Sequence, residues 1–200
     1  MPSITKAMGF SSTNAQLMTV PPYIAGGLSA IFFSVLSDRF YWRMPFVAIP
    51  VTIVIIGYSI IISFDGALES NVGPSFFAVI LTCIGIFPMQ PATASWAANN
   101  LAPTKRRAMG LALAICIGNT GGIVGSFMYL DSEAPQYYTG FGLSLALGGV
   151  ALLLVLFLEL TFIWANRRKE KVSETEVRER FSEQQLLELG DRSPMFKYTL

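Results

Sequence analysis

The sequence predicts an all-α integral membrane protein of about five transmembrane helices with a charged tail. Three observations carry this. Of the 200 residues, 52% are hydrophobic and 14% charged, against roughly a quarter charged in an ordinary soluble domain. The charges are segregated, with eight of the fourteen Lys/Arg and seven of the thirteen Asp/Glu in residues 166–200. The remainder holds five apolar runs, each matching the roughly 20 residues that a helix needs to cross a bilayer. The runs lack period-two alternation and are too long for strands.

Residues 1–16 read as the end of a preceding helix and an extracellular loop, with Pro2–Gly9 the helix end and its exit loop. The uncharged stretches 17–37 and 44–64 predict the first two spans. No charge occurs from Ser70 to Thr104, and its apolar part predicts a third span over 74–98. The fourth is 108–130; the fifth is 137–165, interrupted only by Glu159, which is expected to snorkel or pair near Arg167. Residues 166–200 form a charged tail. There Ser173 and Glu176 have capping-box spacing, and Val177, Phe181 and Leu187 give a weak apolar stripe that Gly190 ends. A short solvated helix and a docking surface both fit this tail.

Basic and acidic loops alternate. Asp38, Arg39 and Arg43 follow the first run, Lys105, Arg106 and Arg107 the third, and Arg167, Arg168 and Lys169 the fifth. The other loops carry Asp65 and Glu69, then Asp131 and Glu133. The positive-inside rule puts the basic loops and tail in the cytoplasm. Five spans then place Met1 outside, and nothing in residues 1–16 would carry it there. The expectation is the C-terminal part of a longer protein.

Several functions are excluded. Without histidine there is no Ser-His-Asp or Cys-His catalysis and no HExxH zinc site. Cys83 and Cys116 sit in apolar runs, not in a CxxC pair. A net charge of +1 argues against a nucleic-acid partner. The spans offer no paired carboxylates, so an enzyme is not expected, and neither a cofactor nor a metal is.

Within the runs, Gly26, Gly27, Gly57 and Gly85 suit close helix packing, and Gly118, Gly121, Gly122 and Gly125 give two overlapping GxxxG spacings, for packing or for a hinge. Pro88-Met89-Gln90-Pro91 places two helix breakers near the middle of the third run. A broken backbone persists in lipid only against protein or a watery cavity. Gln90, Trp96 and, in the fourth run, Asn119 are therefore the candidate lining of a substrate path; packed amides fit the same residues.

Ser37-Asp38-Arg39-Phe40-Tyr41-Trp42-Arg43 resembles the loop signature of the major facilitator superfamily, with three aromatics where small or basic residues are common. Its acid and cations at helix ends suit a conformational latch. Further stretches are Asn14-Ala15-Gln16-Leu17-Met18-Thr19-Val20-Pro21-Pro22-Tyr23, Trp96-Ala97-Ala98-Asn99-Asn100 leading to Thr104-Lys105-Arg106, Asn119-Thr120-Gly121-Gly122-Ile123-Val124-Gly125, and Leu189-Gly190-Asp191-Arg192-Ser193-Pro194-Met195-Phe196-Lys197-Tyr198. Together they resemble the C-terminal half of fungal allantoate-permease-type carriers, the anion:cation symporters, over nearly the whole chain. The resemblance implies the C-terminal bundle of a twelve-helix fold. It also implies proton-coupled uptake of small organic anions (vitamin, allantoate or peptide-like acids) at the plasma membrane, and an N-terminal bundle as partner. A truncated, non-transporting fragment or a structural membrane subunit is the other reading.

Overall fold

The computed structural model describes residues 12–40, 42–64, 71–129, 131–133 and 137–200. The chain runs α1 (Ser12–Leu17), α2 (Val20–Phe40), α3 (Pro45–Ser63), α4 (Val72–Asn100), α5 (Thr104–Phe127), α6 (Tyr138–Lys169), α7 (Glu174–Arg180) and α8 (Glu183–Leu189), with single 3₁₀ turns at Asp131–Glu133 and Gly190–Arg192. Five helices are long and apolar enough to span a membrane; the first of these counts α1 and α2 together, Thr13–Phe40. Among the described residues there is no strand. Large apolar side chains such as Leu28, Phe32, Leu153 and Phe157 are exposed, as lipid-facing residues of a membrane bundle are.

Prolines set the local geometry. Pro21 and Pro22 lack the N–H that would bond back one turn, and the helix pauses at Met18 and Thr19, where the Thr19 N–H and hydroxyl both donate to the Gln16 carbonyl. The pair Pro88 and Pro91 was expected to break the third span. Instead α4 continues through both without interruption. Pro88 is buried, and the carbonyl one turn before it, that of Ile84, accepts from the Ser29 hydroxyl of α2 at 2.5 Å. A neighbouring helix thus satisfies the freed group, as the bilayer demands.

α4 is the central helix and packs chiefly against α3 and α2, while α6 packs on α3. Small residues allow the close approaches. A Cβ on Gly85 would lie 2.6 Å from the Pro50 carbonyl oxygen of α3, and one on Gly26 would lie 2.8 Å from the Phe87 ring. By contrast, Gly118, Gly121, Gly122 and Gly125 face open space, and no residue of α5 is buried. Two apolar clusters result. Ile61, Ala78, Val79, Tyr137 and Phe141 fill one end of the bundle. Val47, Ala92 and Trp96 fill the other, with Phe162 packed against them.

The first cluster lies at the end carrying Glu133, whose carboxylate accepts from the Thr139 N–H at 3.0 Å in the first turn of α6, where the helix dipole favours an anion. This is the acidic end. The second lies at the end carrying Arg43, Lys105 and Lys169, the basic end. There the tail folds as two short helices rather than one. The expected capping box falls nine residues late: Ser173 begins α7 but bonds the Thr175 hydroxyl. The reciprocal cap is made by Ser182 and Gln185 at the start of α8. The Glu176 side chain, Asp65 and Glu69 lie outside what the structure describes.

Candidate functional site

The polar chemistry concentrates at the basic end and along α4. In the loop joining α2 to α3, Arg43 Nη1 donates to Asp38 Oδ1 at 2.6 Å and to Ser37 Oγ at 3.0 Å. The acid of the loop signature is thus paired with Arg43 across the turn, while Arg39 lies exposed on the last turn of α2. The Asp38 side chain is 71% exposed, so the pair contributes no more than about 0–1 kcal/mol. Next to it, Trp42 Nε1 donates to Glu159 Oε1 at 3.0 Å, tying the loop to α6. Glu159 is buried, and Trp42, not Arg167, is its partner; its Oε2 and the Arg43 Nε are buried without a hydrogen-bond partner among the described residues. A carboxylate within a span turns inward to an indole donor because lipid offers it nothing.

The three cations expected as an anchor divide their work. Arg106 pairs with Asp191 at 3.0 Å. Arg107 Nε donates to the Leu101 carbonyl at 3.1 Å, and Lys105 is exposed. Cations in the first turn of α5 oppose its dipole, which the contact with Asp191 offsets. Between this turn and the tail helices lies a cleft of ≈ 810 Å³ that includes Arg107, Arg178 and Phe181.

Gln90 is exposed into a cavity of ≈ 700 Å³ between α3, α4 and α6, lined also by Tyr58, Phe87, Thr93 and Ser144. Trp96 lies six residues on, about 9 Å along the helix. It is 4% exposed, and its ring meets Phe162 edge-on at 5.7 Å. It lines a smaller cavity of ≈ 220 Å³ with Asn100, Leu154 and Val155. Asn119 is exposed on α5 and lines neither. Chemically the larger cavity offers a neutral amide and three hydroxyls, those of Tyr58, Thr93 and Ser144, among apolar walls, which suits orientation of a small polar solute rather than bond making or breaking.

Sequence reasoning missed the tail's return to the bundle. Lys169 Nζ donates to the carbonyls of Asp191 and Phe196 at 2.8 and 3.0 Å. Tyr198 stacks on Phe162 with ring centres 4.8 Å apart. Burial, followed by the charge of Asp191, pushes the Tyr198 hydroxyl above its ordinary 10.0. Aromatics at 196 and 198 in an otherwise polar tail, and asparagines closing two spans, were the available signal.

Comparison with known proteins agrees with this architecture. Residues 1–198 match the profile of the Major Facilitator Superfamily. The chain is 30% identical over 206 residues to the MFS-type transporter cnsO of Penicillium expansum, covering 100% of this chain and 39% of that protein. It is 28% identical over 201 residues to the high-affinity nicotinic acid transporter of Saccharomyces cerevisiae, covering 99% of this chain and 36% of that one. It is 27% identical over 199 residues to the major facilitator-type transporter hxnP of Emericella nidulans, covering 100% of this chain and 40% of that protein. The chain thus spans about two fifths of the length of these relatives. No solved structure matches it significantly. With five membrane-length helices, a signature loop closed by its own ion pair and a profile match from end to end, the chain belongs to the major facilitator superfamily, a family of transporters.

Proposed function

We propose that this chain forms the C-terminal helical bundle of a proton-coupled carrier of the allantoate-permease type. The carrier moves small organic anions (vitamin, allantoate or peptide-like acids) across the plasma membrane. The reading rests on one observation above others: the chain resembles, along 99% of its length, a transporter of nicotinic acid, itself a small carboxylate. The basic end faces the cytoplasm by the positive-inside rule. Lys105, Arg106 and Arg107 anchor it there, and Asp38, Arg39 and Arg43 form the gating loop. Gln90 donates its amide N–H to the substrate from the cavity wall, Asn119 adds a second amide from α5, and Trp96 closes the path on the cytoplasmic side. An N-terminal helical bundle supplies the opposite wall and the charges that the visible cavity lacks. The chain catalyses no reaction and needs no cofactor.

The test is uptake of labelled nicotinate, allantoate and a dipeptide by cells expressing the chain together with an N-terminal bundle. Uptake of at least one anion, rising as the outside is acidified and abolished by a protonophore, is the expected result. Uptake indifferent to the proton gradient removes the coupling; no uptake of any organic anion by a correctly inserted protein removes the substrate class.

A further inference from the structure

Residues 191–200 lie across the basic end of the bundle, and their backbone is held by two asparagines. Asn166 of α6 accepts from the Tyr198 N–H through Oδ1 and donates from Nδ2 to the Tyr198 carbonyl, both at 2.8 Å. Asn100, the last residue of α4, does the same for the next residue: it accepts from the Thr199 N–H at 2.7 Å and donates to the Thr199 carbonyl at 3.0 Å. Trp96 Nε1 adds a second donor to that carbonyl at 2.9 Å. The Arg43 N–H donates to the Leu200 carbonyl at 2.5 Å. A side-chain amide has the donor and acceptor of a peptide group. Two of them therefore satisfy both the N–H and the C=O of two successive residues, as peptide groups would. Side-chain contacts set the register: Tyr198 lies flat on Phe162, and Lys169 Nζ sits 4.4 Å above the Tyr198 ring.

We propose that the basic end is a peptide-binding site whose occupant is the chain's own segment 191–200. This strap holds the ends of α4 and α6 and the loop before α3 together, and the cytoplasmic side of the path opens when it lifts. The gating role rests on the carrier reading above; occupancy of the site does not. Its chemistry fits a device that is released and remade. The groups gripping residues 198 and 199 are neutral amides, an indole and a ring stack; Lys169 and Arg106 add charged contacts at Asp191 and Phe196, and there is no covalent tie. Each hydrogen bond shifts the docking equilibrium by no more than about tenfold, so the strap is strong only as a set. It also joins the signature loop to α4 and α6, which line both cavities, through Arg43, the residue already paired with Asp38.

Hydrogen exchange on the whole chain in lipid nanodiscs tests occupancy. The amides of Tyr198 and Thr199 are expected to be protected. Asn166→Ala should speed exchange at Tyr198, and Asn100→Ala at Thr199, by about tenfold each. Deleting residues 196–200 leaves every helix intact and serves as the second variant. A cysteine at Ala97, which lines the smaller cavity beside Trp96, then reports opening. An impermeant maleimide on the basic side should label it at least about tenfold faster in the deletion variant, the ratio expected when docking bonds of this strength are lost. A synthetic peptide of residues 191–200 should restore slow labelling. The same peptide N-methylated at the positions of Tyr198 and Thr199 should not, because it lacks the two gripped N–H groups. Fast exchange at both amides in the unaltered chain, or exchange indifferent to both asparagine substitutions, overturns the site. Protected amides with Ala97→Cys labelling unchanged by the deletion overturn the gate.

Discussion

Gly85→Ala is expected to push α3 and α4 apart. The added methyl would sit 2.6 Å from the Pro50 carbonyl oxygen and 3.0 Å from the Val54 nitrogen. Both are backbone atoms, so no rotamer change relieves the contact, and the helices must separate by most of an ångström to reach ordinary van der Waals distance. Overpacking of this kind costs about 1–3 kcal/mol. Alanine also gains roughly 0.5–1 kcal/mol over glycine in a helix interior, which partly masks the clash. Gly27→Ala isolates it. Gly27 lies mid-helix in α2 with nothing within 4 Å of where its Cβ would be, so that variant shows the propensity gain alone. Equilibrium unfolding of the chain in bicelles should place Gly85→Ala about 1–3 kcal/mol below Gly27→Ala. Equal stability of the two variants would refute the close α3–α4 packing at Gly85.

Ser29→Ala leaves the Ile84 carbonyl without its hydroxyl donor. The same unfolding assay should show a loss of about 0.6–1.7 kcal/mol, the range for interhelical hydrogen bonds in membranes; no loss would mean the proline-freed carbonyl is satisfied otherwise. Docking of the strap should depend on alkaline pH. Because burial raises the Tyr198 hydroxyl above 10.0, the docked tail is fully favoured below that pH and loses stability as pH rises through the higher docked value. Ultraviolet titration of the phenolate, alongside exchange at Thr199, should show the two changing together, and Tyr198→Phe should remove the part of the pH step that follows the phenolate, leaving the contribution of Lys169. Asp38→Asn removes a largely exposed ion pair. Abundance should change little, while uptake in the assembled carrier should fall if the loop is a latch. Normal uptake at normal abundance would end that assignment.

Composition and charge made the number of long helices, their membrane character and the grouping of basic groups at one end legible, because lipid enforces long apolar runs and charges mark their ends. The fate of Pro88 was not legible. Whether a proline breaks a span depends on what faces the freed carbonyl, and Ser29 lies 55 residues from Ile84. The same holds for Glu159, whose partner Trp42 is 117 residues away; sequence proximity pointed to Arg167. The tail was misjudged because hydropathy scores side chains, and its docking uses backbone groups gripped by Asn100 and Asn166. Gln90 lines the larger cavity, and its place between two prolines was the signal for it. Asn119 lines neither cavity; the rule that singled it out, an amide in an apolar run, says that an amide needs a partner without saying which.

The proposed substrate path runs against α4 and α5, with Gln90 and Asn119 bonding the anion. The most direct measurement is uptake kinetics beside thermal melting for Gln90→Leu and Asn119→Leu in the assembled carrier. A hydrogen bond to a charged ligand is worth about 1.5–3 kcal/mol, so apparent affinity should fall by roughly ten- to a hundredfold in each variant with melting unchanged. Unchanged affinity with lowered melting in both would show that these amides hold helices together and bind no substrate.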